Sequence, residues 1–484
     1  MLVKIKQGML QGEKEGAVMV FRGIPYAEPP VGSLRFAPPR PVKEWKDVLF
    51  AQNFGPRALQ PFEADPANTN IAYSEDCLTL NVWTPQIDNK KRKVVVWIHG
   101  GGFVVGSGSN PKTSGRAFAE KEDLVFISIN YRLGAFGFLH LGDLLGDAYA
   151  TSGNCGLLDI MEALRWVKEN IHAFGGDAAC VTLMGQSAGA KCIAALLIAP
   201  KAKGLFHRVI LESGAMQSIR DKETAQETTF SLLKELGLRR EEAHKLLEVP
   251  AETILEAEIK LNLGIRGPYL FGPVVDGLTL PQPPERMLEH RNVNRVPVLI
   301  GTNKDEAKSF SFTRSHPGSS KEEVLHTLFG ENGTPVSKAY HAACAHKPEG
   351  EAWPEILTEY LYGMASRRLA ASLAGLGIPV WMYRFDFQGT SGALHGAEMA
   401  FVWNDATTRS IPATGEELAA KMHAAWITFI QIGNPQTPEL PLWTPCTENE
   451  CNTMLFDKNC CVVPMNVHDD RDFPLQMLII DKKL

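Results

Sequence analysis

The 484-residue chain has no excess of positive charge: 49 Lys and Arg stand against 55 Asp and Glu, a formal net charge of −6. With no long basic run either, a nucleic-acid partner is not expected. No stretch of about 18 uninterrupted apolar residues occurs, so neither a membrane-spanning helix nor a membrane partner is expected. The opening Met1-Leu2-Val3-Lys4-Ile5-Lys6-Gln7-Gly8 lacks the apolar core of a signal peptide, which makes a cytoplasmic location the expectation. Nine cysteines cannot all pair, and in a reducing compartment all of them are expected to be free. Cys446, Cys451, Cys460 and Cys461 cluster, but adjacent Cys460 and Cys461 do not give the C-x-x-C pairs of a zinc ribbon. His341, Cys344 and His346 make a weaker metal set still, so no metal is expected. Internal repeats, low-complexity tracts and long Gly/Ser/Pro linkers are also missing.

Apolar residues make up 44% of the chain, enough to bury a large core. Strand-like apolar runs recur at residues 94–98, 124–129, 181–184, 208–211, 296–300 and 380–387, with helical patterns between them. Leu157, Met161, Leu164, Val167 and Ile171 recur every three to four residues and predict a helix with one apolar face. The alternation predicts an α/β fold with one large, mostly parallel sheet flanked by helices. Length alone would suggest several domains, but a continuous sheet predicts a single domain over residues 1–484, with helical insertions at approximately 222–270 and 313–376. In the first insertion Phe230, Leu233 and Leu236 alternate with charged residues. Such stripes are packing faces, and the insertions are expected to wall a gorge and set substrate size.

Ser187 stands in Gly185-Gln186-Ser187-Ala188-Gly189, directly after the apolar run 181–184 and directly before the small-residue helical stretch 188–197. In a chain this rich in glycine the pentapeptide alone is modest evidence. Strand, sharp turn and helix are what a nucleophile elbow needs, because the turn lifts the hydroxyl clear of the sheet and the helix N-terminus aims N–H groups at a carbonyl. Upstream, Lys93-Val94-Val95-Val96-Trp97-Ile98 runs straight into His99-Gly100-Gly101-Gly102-Phe103. Three glycines in a row let backbone N–H groups approach an oxyanion. Gly101 and Gly102, with the amide of Ala188, are the expected donors. The loop is no phosphate cradle, since it carries no Walker Lys-Ser/Thr pair and no G-x-G-x-x-G opening a helix; no cofactor is expected.

A serine nucleophile needs a base, and the base needs an acid to hold its tautomer. For this kind of elbow the chain order is serine, acid, histidine. His395 lies in Gly389-Thr390-Ser391-Gly392-Ala393-Leu394-His395-Gly396, a loop beyond the strand-like 380–387, where a base can reach the elbow. His423, His341 and His346 fall in helical patterns and are expected to be structural or solvated. The strand at 296–300 opens into Gly301-Thr302-Asn303-Lys304-Asp305-Glu306, and position does not choose between Asp305 and Glu306 as the acid. Asp276 is a weaker third candidate.

Several ordered motifs resemble the type-B carboxylesterase family, the α/β-hydrolases that include bacterial para-nitrobenzyl esterases and animal carboxylesterases and cholinesterases. They begin with Phe21-Arg22-Gly23-Ile24-Pro25-Tyr26-Ala27-Glu28-Pro29-Pro30-Val31-Gly32, Leu34-Arg35-Phe36 and Ser74-Glu75-Asp76-Cys77-Leu78-Thr79-Leu80-Asn81-Val82-Trp83. The His99 to Phe103 loop, Asn130-Tyr131-Arg132, Gly156-Leu157-Leu158-Asp159 and Phe174-Gly175-Gly176-Asp177 follow. The resemblance is weak at 222–270, 313–376 and after 445. It implies the α/β-hydrolase fold, a glutamate acid matching Glu306, and a His-Gly-x-Glu base matching His395 with Glu398. The implied activity is that of a serine carboxylesterase acting on small-molecule esters, short-to-medium acyl or aromatic, through an acyl-enzyme. The sequence does not fix the oligomeric state, and a monomer is the favoured expectation. Lipase, amidase or specialised detoxifying activity on the same triad, or a non-catalytic cholinesterase-like binding module, are the alternatives.

Departures from the family pattern are informative. Gln186 replaces the usual glutamate before the nucleophile, which removes a negative charge beside the acyl centre and should lessen preference for cationic substrates. Ala307 replaces the usual glycine after the acid; Cys155 and Glu212 also depart. Cys77 falls where animal relatives close a loop by disulfide, yet no cysteine precedes it here. The loop at 64–73 has no tryptophan to offer a quaternary ammonium, against a cholinesterase. Because the base must be neutral, activity is expected to fall as pH drops below the ordinary histidine range, about 6 to 7.

Overall fold

Eleven strands pair into one sheet among the residues that the computed structural model describes, which are 1–61, 71–263, 269–310, 319–390, 392–405, 407, 411–467, 470 and 473–476. In chain order the strands are β1 (Glu13–Glu15), β2 (Val18–Pro25), β3 (Thr79–Thr84), β4 (Arg92–Ile98), β5 (Val125–Ile129), β6 (Gly176–Gln186), β7 (Arg208–Glu212), β8 (Val298–Asn303), β9 (Val380–Phe385), β10 (Glu450–Phe456) and β11 (Cys461–Asn466). Across the sheet they run β11-β10-β9-β8-β7-β6-β4-β5-β3-β2-β1. The seven strands from β10 to β5 are mutually parallel, and antiparallel pairs close both ends. This is the mostly parallel sheet of an α/β-hydrolase. A small separate sheet joins Leu2–Ile5, Gly8–Gln11 and Val48–Phe50.

Both faces of the parallel strands are covered, which is why they read as continuous apolar runs rather than as alternation. On β4, Val94, Val96 and Ile98 face one core while Val95 and Trp97 face the other. Among the helices are α1 (Gly134–Phe138), α2 (Cys155–Asn170), α3 (Ala188–Leu197), α4 (Lys222–Glu235), α5 (Ala251–Asn262), α6 (Lys321–Phe329), α7 (Gly333–Cys344), α8 (Glu349–Thr358), α9 (Met364–Gly375) and α10 (Glu416–Ile432). Leu157, Met161, Leu164 and Val167 of α2 pack into the first core with α3, whereas Met422, Trp426 and Phe429 of α10 fill the second. Among the described residues no helix is long and apolar enough to cross a membrane.

Helices α4 and α5 occupy the first expected insertion. Arg220, 2% exposed, anchors its base: the guanidinium donates to the carbonyls of Phe138 (3.1 Å), Leu270 and Gly272 (3.0 Å). The second stretch divides. Helices α6 to α8 precede a π-helical turn at Glu359–Gly363, but α9 packs Leu369 and Leu373 into the same core as Val298, Ile300 and Val380 and forms the crossover from β8 to β9. Residues 264–268, 313–318 and Ser391, together with 64–70 of the tryptophan-free loop, lie outside the described residues.

Motifs far apart in the chain meet as buried ion pairs. Arg132 grips Asp159 with three bonds, from its backbone N (3.0 Å), Nε (2.8 Å) and Nη2 (2.7 Å), and both side chains are inaccessible. Arg35 makes a two-pronged pair with Glu75, at 2.7 and 2.5 Å. These pairs pin the loops that follow β5 and precede β3.

Candidate active site

Strand β6 ends at Gln186 and α3 begins at Ala188, leaving a single residue for the turn. Ser187 makes that turn at φ 54°, ψ −120°, a conformation side chains rarely adopt and one that costs about 1–3 kcal/mol. Its neighbours hold it there: Ser187 N donates to Glu212 O at 2.8 Å and Lys191 N donates to Ser187 O at 2.9 Å. Glu212 thus meets the elbow through its backbone, while its carboxylate accepts from Trp426 Nε1 at 2.8 Å. Gly189 is required by close approach, since a Cβ there would sit 2.0 Å from Ile98 O.

The glycine loop leaves β4 next to this turn. A Cβ on Gly100 would lie 3.2 Å from Ser187 Cβ, so loop and elbow are in contact. Gly101, Gly102 and Phe103 all have positive φ, and Gly101 O accepts from both Val104 N and Val105 N at 3.0 Å. Turning that carbonyl inward leaves the N–H groups of Gly101 and Gly102 without an acceptor among the described residues. Ala188 opens α3, where first-turn N–H groups lack intrahelical acceptors. His99, stacked on Tyr131 at 4.5 Å, is kept neutral because burial lowers its pKa to about 4.

Beyond β8 and β9 the two loops carrying the acid and base candidates are stitched together. Asp305 N donates to Ala393 O (2.9 Å) and Asn303 Nδ2 to Leu394 O (2.6 Å). Glu306 is fully buried, takes a hydrogen bond from Asn303 N (2.8 Å), and places Oε2 2.5 Å from His395 Nδ1. The other ring nitrogen, Nε2, lies 3.1 Å from the Gln186 amide nitrogen. A proton held on Nδ1 by Glu306 leaves Nε2 as the basic nitrogen, and it faces the residue next to Ser187. Glu398 shares Asn303 Nδ2, and burial followed by the charge of Glu306 raises its pKa.

Of the remaining candidates, none joins this group. Asp276 binds the backbone of Leu278, Thr279 and Leu280 and the side chain of Asn154. The Asp305 backbone serves the loop-to-loop contact, and its carboxylate lies toward Gly392. His423 bonds Val402 O and Glu122, and His341 pairs with Glu322. All nine cysteines are free; Cys155 donates weakly to Phe36 O and Ala37 O.

Sequence reasoning missed the side chains around the base. Phe310 and Tyr362 have ring centroids 5.6 and 5.1 Å from the His395 ring. It also missed Glu258 of α5, which accepts from Ala135 N (2.9 Å) at the start of α1, while Gly134 N donates to Phe103 O (2.7 Å) of the glycine loop. The contact needs glycine at 134, where φ is +53° and a Cβ would sit 2.2 Å from both carboxylate oxygens. Burial raises the Glu258 pKa to about 7. The proton is therefore held more tightly in the folded state, so this contribution to stability is complete below the ordinary glutamate range and is lost as pH climbs through about 7. Glu258→Gln should accordingly gain on wild type by about 2–3 °C in Tm between pH 5 and pH 8. A Tm difference that stays flat across that range would rule the titration out.

A sequence profile described as the carboxylesterase family matches residues 1–472. The chain belongs to that family. This carboxylesterase is 37% identical to the para-nitrobenzyl esterase of Bacillus subtilis (strain 168) over 480 residues, covering 95% of this chain and 96% of that one. It is 36% identical to the phenmedipham hydrolase of Pseudarthrobacter oxydans, over 90% and 91% of the two chains. Its structure aligns with that of a Geobacillus stearothermophilus carboxylesterase at a TM-score of 0.86, with 38% identity and 97% and 99% of the chains covered. The carboxylesterase is a serine hydrolase of carboxylic esters, and small-molecule esters are its substrates.

Proposed function

We propose that the carboxylesterase hydrolyses short-to-medium acyl or aromatic esters with Ser187 as nucleophile, His395 as base and Glu306 as acid. The observation that carries this is the 2.5 Å contact of Glu306 on His395 Nδ1, which turns the basic Nε2 toward the elbow. Ser187 Oγ attacks the ester carbonyl as His395 takes its proton, and the carbonyl oxygen, now an anion, receives hydrogen bonds from the N–H groups of Gly101, Gly102 and Ala188. Each such donor is worth on the order of a hundredfold in rate. His395 returns the proton to the leaving alcohol; water then attacks the acyl-enzyme as the same nitrogen takes its proton, and that proton passes to Ser187 Oγ as the bond to the acyl group breaks and the acid leaves. Gln186 contributes an amide where a carboxylate would have stabilised cations.

Size selection is assigned to the stretches at 222–270 and 313–376. Support comes from Tyr362, which flanks the base, and from Tyr269, which with Tyr362 faces the Lys191 ammonium. The para-nitrobenzyl group in the name of the Bacillus subtilis relative agrees with such a wall. A p-nitrophenyl acyl series from acetate to laurate should show highest kcat/KM at short-to-medium chains, and a rise through laurate would favour a lipase. Fluorophosphonate labelling should modify the peptide bearing Ser187; a label elsewhere would overturn the assignment.

A further inference from the structure

Helix α3 is built of Ala, Gly, Cys, Ile and Leu except for one charged side chain, Lys191. It sits one turn past Ser187 and is 4% exposed. Its stem runs beside Gly214, where a Cβ would lie 3.1 Å from Lys191 Cγ. The ammonium comes to rest 5.2 Å from the Tyr269 ring centroid and 5.6 Å from that of Tyr362. Tyr362 is the same ring that flanks His395. Among the described residues no carboxylate, hydroxyl or carbonyl bonds Lys191 Nζ, although the side chain is buried.

An ammonium taken out of water needs an anionic or hydrogen-bonding partner. Two π faces offer attraction but accept none of its three protons in a directed bond. Burial lowers the Lys191 pKa to about 8, and the charge of Glu306 opposes that fall. Glu306 itself is engaged by His395 and Asn303. The ammonium is therefore left without a directed partner in the protein, and Tyr362, which neighbours both Lys191 and His395, places it on the base side of the site.

We propose that Lys191 is a specificity-determining residue that receives a carboxylate of the substrate, so that the preferred ester carries an anionic group a few atoms from the scissile carbonyl. A monoester of a short dicarboxylic acid has that chemistry. The test esters carry a three-carbon spacer between the carboxylate and the ester group, within the span of a short dicarboxylic monoester. This rests on Ser187 being the nucleophile.

Hydrolysis followed by pH-stat at pH 7 tests it with monomethyl glutarate, dimethyl glutarate and 4-acetoxybutanoate. The first carries its carboxylate on the acyl part and the third on the alcohol part, so the two arms locate the charge. Wild type should show higher kcat/KM on at least one anionic ester than on the neutral diester. That ratio should fall about 10-fold to 100-fold in Lys191→Met, as loss of a charge-assisted hydrogen bond implies, and be largely kept in Lys191→Arg. A ratio equal in wild type and Lys191→Met overturns the proposal. So does a wild type that favours the diester over both anionic esters, a ranking that decides the matter even where the variant fails to fold. p-Nitrophenyl butyrate separates the two layers: wild type no better on it than Ser187→Ala strikes the nucleophile assignment, whereas good turnover without carboxylate preference strikes Lys191 alone.

Discussion

Ser187→Ala should lower kcat on p-nitrophenyl butyrate by about four to six orders of magnitude at unchanged secondary structure. The loss is that large because the residues act as a unit: without the hydroxyl, neither the imidazole nor the glycine-loop donors have a covalent step to assist. The turn adds a second expectation. Residue 187 is held at φ 54°, ψ −120° whatever its side chain, so Ser187→Gly should be equally inactive yet at least as stable as Ser187→Ala, since glycine accepts that conformation without strain. A Ser187→Ala variant that keeps a tenth of the activity would remove Ser187 from the mechanism.

Asp159→Asn should cost about 3–5 kcal/mol of stability, enough to empty the soluble fraction of a marginally stable enzyme. The carboxylate is fully buried and accepts three bonds from Arg132, whose guanidinium is 3% exposed and also donates to Ala37 O at 2.8 Å. Neutralising one partner strands a cation in the core. Adding Arg132→Met should restore part of the loss, because removing both charges is far cheaper than removing one. Chemical denaturation of the two variants checks this, and no recovery in the double variant would mean that geometry rather than charge dominates.

The pair also shows what the sequence could and could not convey. Asn130-Tyr131-Arg132 and Gly156-Leu157-Leu158-Asp159 were legible as signatures of a family, and so were Leu34-Arg35-Phe36 and Ser74-Glu75-Asp76, but nothing in their spacing says that Arg132 meets Asp159 or Arg35 meets Glu75. The parallel strands were plain because burial on both faces makes them continuous apolar runs. β6 starts at Gly176, five residues before its run at 181, where the chain is more exposed. The antiparallel edge strands β1 and β11 left no such run, because Glu13–Glu15 is an exposed edge and Cys461–Asn466 is largely exposed. Serine, glycine loop and histidine could each be placed by the element preceding it. Asp305 and Glu306 could not be told apart, because a backbone contact between the loops after β8 and β9 decides which of them lies against His395. Lys191 was visible as a lone charge in an apolar helix; its meaning depended on Tyr269 and Tyr362, about 80 and 170 residues away.

The site draws on chain separated by some 290 residues, from the glycine loop after β4 to His395 after β9, and β4 itself is sandwiched between β5 and β6. A nascent polypeptide leaving the ribosome can pair β4, β5 and β6 and, once β7 brings Glu212 O, close the elbow, but Glu306 and His395 come only after β8 and β9, added at the growing flank of the sheet. Vectorial synthesis at about 5–20 residues per second sets a delay of roughly 10–40 s between elbow and base. Throughout that interval the chain carries the Ser187 turn without Glu306 and His395 beside it, so the geometry of the site is completed last, from the far flank of the sheet.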